Sequence, residues 1–225
     1  MNVTFLKWGA GSLALLVSAT GATTTVLAQD PSSSQSSPAP ATPAASEKKA
    51  DPSIAQRKEN QQDRIANGVK SGQLTAGETA NLEKKEAAIN KETRTDRAAN
   101  GGNLTSAEKA QVNKQQNQMS KQIYADKHNA NTAHYGNNKV GQRRENQQDR
   151  IAQGIKSGQL TPGETAKLEN QQKGINKQVA TDRKANGGTL NASQKKQINK
   201  EQNQASRNIY NKKHNAATQS GAKKP

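Results

Sequence analysis

The residues of this sequence best placed to do chemistry are acidic side chains that follow a glycine and a leucine at fixed spacing. Residues 71–78 read SGQLTAGE, residues 157–164 read SGQLTPGE, and residues 101–108 read GGNLTSAE. A glycine, an aliphatic residue two positions later and a carboxylate four positions after that match the sixth, eighth and twelfth positions of a calcium-binding loop between two helices. The candidate metal ligands are accordingly Glu78, Glu164 and Glu108.

The same residues also fit a second role, the start of a helix. Thr75 stands at an N-cap position and Glu78 follows three residues later, which is the spacing of a capping box. Gly72 stands where the preceding helix would end with a positive φ. In the second octet Pro162 directly follows the N-cap residue, at a position where the missing N–H of proline costs nothing.

A fourth version of the pattern, GGTLNASQ at residues 187–194, separates the two roles. Asn191 replaces the threonine and is a strong N-cap. Gln194 replaces the glutamate; it can complete a capping box, but it substitutes poorly for the bidentate carboxylate that closes a calcium loop. Both substitutions obey the capping rule, so helix capping is the favoured interpretation.

The octets resemble the second half of an EF-hand loop, and two of them in each half of the chain resemble a degenerate EF-hand pair. The resemblance implies that Leu74 and Leu104 face each other across a short backbone bridge. The ligands of the first half of the loop are missing, because Val69 takes the third loop position of the first octet and Arg97 the first position of the next. An aliphatic side chain cannot bind Ca²⁺, and arginine repels it. We therefore predict no catalytic, cofactor or metal site, with calcium binding as the alternative.

The chain contains a duplication. Residues 57–130 align without a gap with residues 143–216 at a constant offset of 86, and roughly two thirds of the aligned residues are identical. Helix signals and apolar spacing predict three helices in the first copy, at residues 55–70, 76–99 and 106–127, and the same three in the second. The predicted fold class is all-α, with two tandem three-helix units. The sequence leaves open whether the units pack together.

The ends of the chain differ in composition from the two copies. Lys7 precedes an apolar stretch that ends in VLA at residues 26–28, which is typical of a secretory signal peptide. The next segment is rich in Pro, Ser and Ala. The predicted divisions are a signal peptide at 1–28, a disordered linker at 29–54, helical unit 1 at 55–130, a connector at 131–142, helical unit 2 at 143–216 and a disordered tail at 217–225.

About ten apolar residues in each copy recur at helical spacing, which predicts a thin core. The rest of each copy is rich in Asn and Gln, and segments such as NKQQNQ at 113–118 are predicted to form outer faces. The predicted core of the first copy is Ile65, Val69, Leu74, Leu82, Ile89, Leu104, Val112, Met119, Ile123 and Tyr124. The counterparts in the second copy include Ile151, Ile155, Leu168, Ile175, Val179, Ile198, Ile209 and Tyr210.

The other polar residues that recur in both copies, histidines and Asp–Arg pairs, are predicted to have structural rather than catalytic roles. His128 and His214 occupy the same repeat position, where we predict cations near a helix C-terminus that ends at the following asparagine. The Asp–Arg pairs at residues 63–64, 96–97, 149–150 and 182–183 are predicted to be surface ion pairs at helix ends. The chain has no cysteine, so disulfides and cysteine-bound metals are excluded.

The net charge of +16 is the feature that most strongly indicates a kind of binding partner, and it is distributed unevenly along the chain. Residues 57–140 carry a net charge of +5 and residues 141–225 carry +11. Such a charge attracts the chain to anionic surfaces such as lipid head groups or acidic polysaccharide. Specific nucleic-acid binding is not predicted, because the chain lacks aromatic platforms and known binding motifs; non-specific nucleic-acid binding is an alternative.

The phrases RIANGVKSGQLT and IYADKH, with their second copies, resemble a group of exported bacterial helical-repeat proteins of uncharacterised function. The resemblance implies an exported helical repeat protein and brings no activity with it. We expect a non-enzymatic binding or structural protein, periplasmic or secreted, with no transmembrane segment after removal of the signal. Its expected partner is an anionic envelope or extracellular polymer, and its oligomeric state is left open.

Overall fold

The computed structural model describes residues 52–219. The predicted signal peptide, most of the predicted linker and the end of the predicted tail lie outside these residues. Within them the chain is all-helical and has no strand, so the all-α prediction is confirmed. The helices are α1 (Pro52–Lys70), α2 (Ala76–Ala99), α3 (Ser106–Lys127), α4 (Lys139–Lys156), α5 (Pro162–Ala185) and α6 (Ala192–Lys213).

Capping chemistry sets the helix starts. Thr75, Thr105, Thr161 and Asn191 are the N-caps of α2, α3, α5 and α6, and each closes a complete capping box with the residue three positions later. These four helices have the predicted bounds. The first helix of each repeat starts earlier than predicted, at Pro52 and Lys139 instead of 55 and 141.

Each first helix ends in the same turn. Gly72 has a φ of 72°, which a residue with a side chain rarely adopts, and this lets the chain reverse at once. The backbone N–H of Leu74 donates to the carbonyl of Gly68 at 3.0 Å, and the Leu74 side chain is buried. The glycine therefore ends one helix and the leucine anchors the turn before the next begins.

Helices α1–α3 form the first repeat and helices α4–α6 form the second. The two repeats pack together, a point that the sequence had left open. The most extensive helix contact joins α2 to its counterpart α5, and the next joins α1 to its counterpart α4. Within each repeat the third helix packs against the other two. Equivalent surfaces of the two repeats thus face each other inside one compact unit.

The hydrophobic core crosses the boundary between the repeats. One cluster contains Ile65 and Ile123 of the first repeat together with Ile151 and Ile209 of the second, all fully buried. The prediction of a buried tyrosine is wrong, because Tyr124 is 61 % exposed and its counterpart Tyr210 is 57 % exposed. The isoleucine just before each tyrosine takes the inward position, and successive helical residues point in different directions.

Glutamine side chains extend the core beyond its apolar residues. Gln116 belongs to a segment predicted as an outer face, yet it is 1 % exposed. Its amide nitrogen donates to the carbonyl of Ile54 at 3.0 Å, and Gln61 donates in turn to the carbonyl of Gln116 at 2.6 Å. Glutamine is tolerated inside because these donors satisfy backbone carbonyls of a neighbouring helix.

The segments that follow the third helices are also equivalent. Ala133 donates from its backbone N–H to the carbonyl of Gly72 at 2.8 Å, and Gln219, which is 86 residues later, donates to the carbonyl of Gly158 at 3.0 Å. The Gln219 side chain also donates to Leu160 O at 2.8 Å. The packed body therefore reaches at least Gln219, beyond the predicted end of unit 2 at 216.

Candidate functional site

The three candidate metal ligands lie in capping boxes. The carboxylate of Glu78 accepts from the backbone N–H of Thr75 at 2.9 Å, while the N–H of Glu78 donates to the Thr75 hydroxyl at 3.3 Å. Glu164 makes the same pair of bonds with Thr161, and Glu108 makes it with Thr105. The sequence-based prediction of helix capping is confirmed at all four positions, Gln194 included.

The second carboxylate oxygen of Glu78 and of Glu164 binds the segment that follows the third helix of the repeat. Asn129 donates to Glu78 Oε1 at 2.8 Å, and Asn215 donates to Glu164 Oε1 at 2.6 Å. Burial raises the pKa of Glu78, but the hydrogen bonds from Thr75 and the asparagines outweigh it and hold this pKa below its ordinary value. Both oxygens of these carboxylates are therefore already bonded to the protein.

The geometry of an EF-hand pair is absent from residues 52–219. No bridge joins Leu74 to Leu104, because the N–H of Leu74 is bonded to Gly68 in its own turn. Within the same residues no three His, Cys, Asp or Glu side chains come close enough together to hold a metal ion. The structure brings none of Glu78, Glu108 and Glu164 into such a group.

The recurring histidines form stacked pairs with the exposed tyrosines. The rings of Tyr124 and His128 are 4.1 Å apart between centroids, and those of Tyr210 and His214 have the same separation. The Nδ1 atom of each histidine lies 2.7 Å from the carbonyl oxygen of its tyrosine. The histidines themselves are the C-caps, one residue earlier than the predicted helix ends.

The predicted Asp–Arg ion pairs do not form. The only salt bridge among residues 52–219 joins Lys212 to Glu164 at 3.6 Å. Arg64 instead donates to the carbonyl of Ser120, and Arg150 donates to the carbonyl of Ser206. Adjacent residues on a helix point in different directions, so each arginine reaches the third helix of its repeat rather than the preceding aspartate.

A basic surface occupies α6 and the neighbouring ends of α4 and α5. Two adjoining depressions on it share Lys195 and Asn199, and no acidic residue lines either of them. Arg143 lies across α6 and donates to the side chains of Asn199 and Asn203. The cations of this basic surface are Lys139, Arg143, Arg183, Lys195, Lys196, Lys200 and Arg207.

The cations of the basic surface form no salt bridge with the described part of the protein, since none of them belongs to the single salt bridge within residues 52–219. Lys195, Lys196, Lys200 and Arg207 are all exposed on α6. Unpaired cations on one face produce a positive potential that attracts anions over a distance set by the salt concentration.

The first repeat offers a weaker version of the same surface. Ser53 stands in the place of Lys139, Glu108 in the place of Gln194, and Ala110 in the place of Lys196. Each difference makes the face of the second repeat more positive by one charge. The uneven charge seen in the sequence is therefore concentrated, in part, on one identifiable face.

A group of buried carboxyls lies where α2 and α5 meet, and sequence reasoning missed it. Glu83, Glu86 and Glu169 are 0 % exposed. Gln62 donates to Glu83 Oε2 at 3.3 Å, and its counterpart Gln148 donates to Glu169 Oε2 at 2.9 Å. The other oxygen of Glu83 and of Glu169 has no hydrogen-bond partner. The available signal was that Glu83 matches Glu169, and Gln62 matches Gln148, in the two copies.

These carboxyls hold their protons unusually tightly. Burial, reinforced by the charge of Glu86, raises the pKa of Glu83 well above its ordinary value. Burial raises the pKa of Glu169 to about 8, and that of Glu86 to about 7 against the opposing effect of Lys58. Desolvation disfavours the charged form of an acid, so the seam between the repeats favours neutral carboxyls.

Comparisons with known proteins do not add to this description. No protein-family model, curated protein or solved structure matches the chain. No helix within residues 52–219 combines the length and the apolar character that a membrane crossing requires.

Proposed function

We propose that this protein is an exported, non-enzymatic binding protein that contacts anionic polymers of the cell envelope or its surroundings through the basic surface of the second repeat. The single observation that carries the proposal is the run of exposed, unpaired cations on α6. The periplasmic or secreted location rests on the signal-like first 28 residues.

A repetitive anionic surface suits this arrangement better than a small anion. The cations lie in shallow, open depressions along a helix of 22 residues rather than converging on one enclosed point. An extended polymer or a lipid surface can meet many of them at once, and the weaker face of the first repeat can add a second contact on the same chain.

The internal repeat supplies a test with little risk to the fold. The triple variant Lys139→Ser, Gln194→Glu, Lys196→Ala gives the second repeat the residues that the first repeat already carries. The control variant Lys84→Asn, Lys85→Gln, Lys167→Asn exchanges residues between the repeats in the same way and removes the same net charge from exposed positions elsewhere.

Binding is measured by co-sedimentation with vesicles that contain phosphatidylglycerol and with an insoluble acidic polysaccharide. We expect the triple variant to bind at least about tenfold more weakly than the control, and we expect binding to fall steeply with added salt. Equal loss in both variants would mean that net charge alone is responsible and would reject the basic surface as the site. Duplex DNA serves as the third probe, since preferential binding to it would favour the nucleic-acid alternative.

A further inference from the structure

The two repeats differ in the space beside α1 and its counterpart beside α4. In the second repeat this space is filled by the connector between the repeats. Tyr135 lies with its ring 5.1 Å from the guanidinium carbon of Arg144. Arg144 donates to Asn176 Oδ1 at 2.6 Å and to the carbonyl of His134 at 3.4 Å. An aromatic ring over a cation therefore closes this side of the protein.

In the first repeat the equivalent residues line an open pocket. Ala55, Lys58 and Asn90 are the counterparts of Gly141, Arg144 and Asn176, and all three line a cavity of about 400 Å³. This volume is in the range of small-molecule sites. No ring of the described residues covers Lys58.

Ala55 stands where the second repeat has Gly141, and a Cβ atom at this place does not fit the packing seen in the second repeat. A Cβ atom at Gly141 would lie 2.1 Å from the carbonyl oxygens of Tyr135 and Gly136, so the connector can pass only because residue 141 is glycine. Ala55 carries that Cβ atom.

The pocket combines cations with apolar walls. Lys58, Arg94 and Arg97 line it, and none of its lining residues is acidic. The N-terminal end of α5, Thr161–Gly163, also lines it. Ile54, Ala87 and Ile89 supply the apolar part.

We propose that this pocket binds a small planar aromatic anion, whose ring lies over Lys58 as the ring of Tyr135 lies over Arg144, and whose negative group meets Arg94 and Arg97. The site is separate from the basic surface of the second repeat. Because its counterpart is already occupied by Tyr135, one molecule binds per chain.

The test is a calorimetric titration of the full chain with 2-naphthoate, with cyclohexanecarboxylate as a probe of equal charge and no planar ring. We expect saturable binding of one naphthoate per chain and much weaker binding of the cyclohexane acid. Arg94→Ala, which introduces the residue found at the counterpart Ala180, should weaken naphthoate binding about tenfold. The matched control Lys84→Asn removes an exposed charge from the same helix and should leave binding unchanged.

Two further variants test whether the ligand lies in this pocket. Ala87→Tyr places a phenol ring in the pocket and should abolish binding. A chain that stops after Gln219 should bind like the full chain; binding seen only in this shortened chain would overturn the proposal and make the chain's own end the occupant. Equal loss of naphthoate binding in Arg94→Ala and Lys84→Asn, or a loss in the triple variant of the basic surface, would also overturn it.

Discussion

Gln172 donates a hydrogen bond from its amide nitrogen to the buried Oε1 of Gln147 at 3.1 Å. In the first repeat the equivalent residues are Glu86 and Gln61, and Gln61 Oε1 is buried without a partner. An ionised carboxylate cannot donate to it, whereas a protonated carboxyl or an amide can. Burial raises the pKa of Glu86 and so favours the protonated form, which has the donor that this acceptor lacks.

Glu86→Gln should therefore stabilise the protein at alkaline pH. The substitution supplies the donor that Gln172 provides in the second repeat and removes a buried charge, and we expect a gain of about 1–3 kcal/mol in the free energy of unfolding. Urea unfolding at about pH 8.5 measures it, with the exposed Glu59→Gln as control. A loss of stability would mean that Glu86 acts mainly as the counter-charge of Lys58.

The buried carboxyls should make the protein more stable in mild acid than in alkali. Their pKa values are higher in the folded than in the unfolded chain, so the folded state retains protons that the unfolded state releases. Their contribution is fully present below about pH 4.5, falls as the pH rises through the folded pKa values of about 7 and 8, and is lost above them. For Glu86 alone the change is about 3 kcal/mol.

The measurement is a series of urea unfolding curves between pH 5 and pH 9. The capping glutamates work in the opposite direction, since the lowered pKa values of Glu78 and Glu164 give stability that is lost as the pH falls below about 4.5. We expect a stability maximum in the weakly acidic range. Constant stability between pH 5 and pH 8 would contradict buried, proton-retaining carboxyls.

Removing an N-cap should cost stability that Ca²⁺ does not restore. Thr75→Ala deletes the hydroxyl that accepts from the N–H of Glu78, at a cost of about 1 kcal/mol. Thr95→Ala, at an exposed position inside α2, is the control and should not destabilise the helix. Thermal melts with added Ca²⁺ and with EDTA should coincide for the parent chain. A rise in melting temperature with Ca²⁺ would support the calcium alternative.

The shared core should make the two repeats unfold together. Ile151→Ala removes a fully buried side chain from a cluster built by both repeats, and we expect it to cost about 2–5 kcal/mol. Hydrogen exchange should then quicken in α1 as well as in α4. Loss of protection confined to the second repeat would mean that the repeats fold independently.

The sequence was sufficient to predict those elements that depend on local chemistry. Thr75 and Glu78 lie on one turn of chain, so their spacing alone predicted the start of α2. The burial of Ile65 followed from its helical spacing. The seam between α2 and α5 could not be predicted in this way, because Glu83 is buried by a helix from the other copy. A charged side chain such as that of Glu83 is expected to be exposed, and its burial becomes evident only once α5 is known to pack on α2.

The candidate sites, too, could be predicted from the sequence only where they depend on local features. The charge difference between the copies was visible in the sequence, but its concentration on α6 depends on which residues share a face with Arg143. The pocket at Lys58 could not be predicted, because the sequence does not show which segment packs beside Lys58 or Arg144. The difference between Ala55 and Gly141 becomes significant only once the connector is known to pass over Gly141.

The packing of α2 on α5 and of α1 on α4 has the arrangement of a symmetric dimer whose two subunits are joined in one chain. In a true homodimer every substitution occurs twice, so a changed residue near the axis must tolerate its own copy. Covalent joining removes that restriction. One half can hold Glu86 while the other holds Gln172, and one side pocket can stay open while the other is closed by Tyr135. Two copies in one chain can therefore carry different residues at equivalent buried positions.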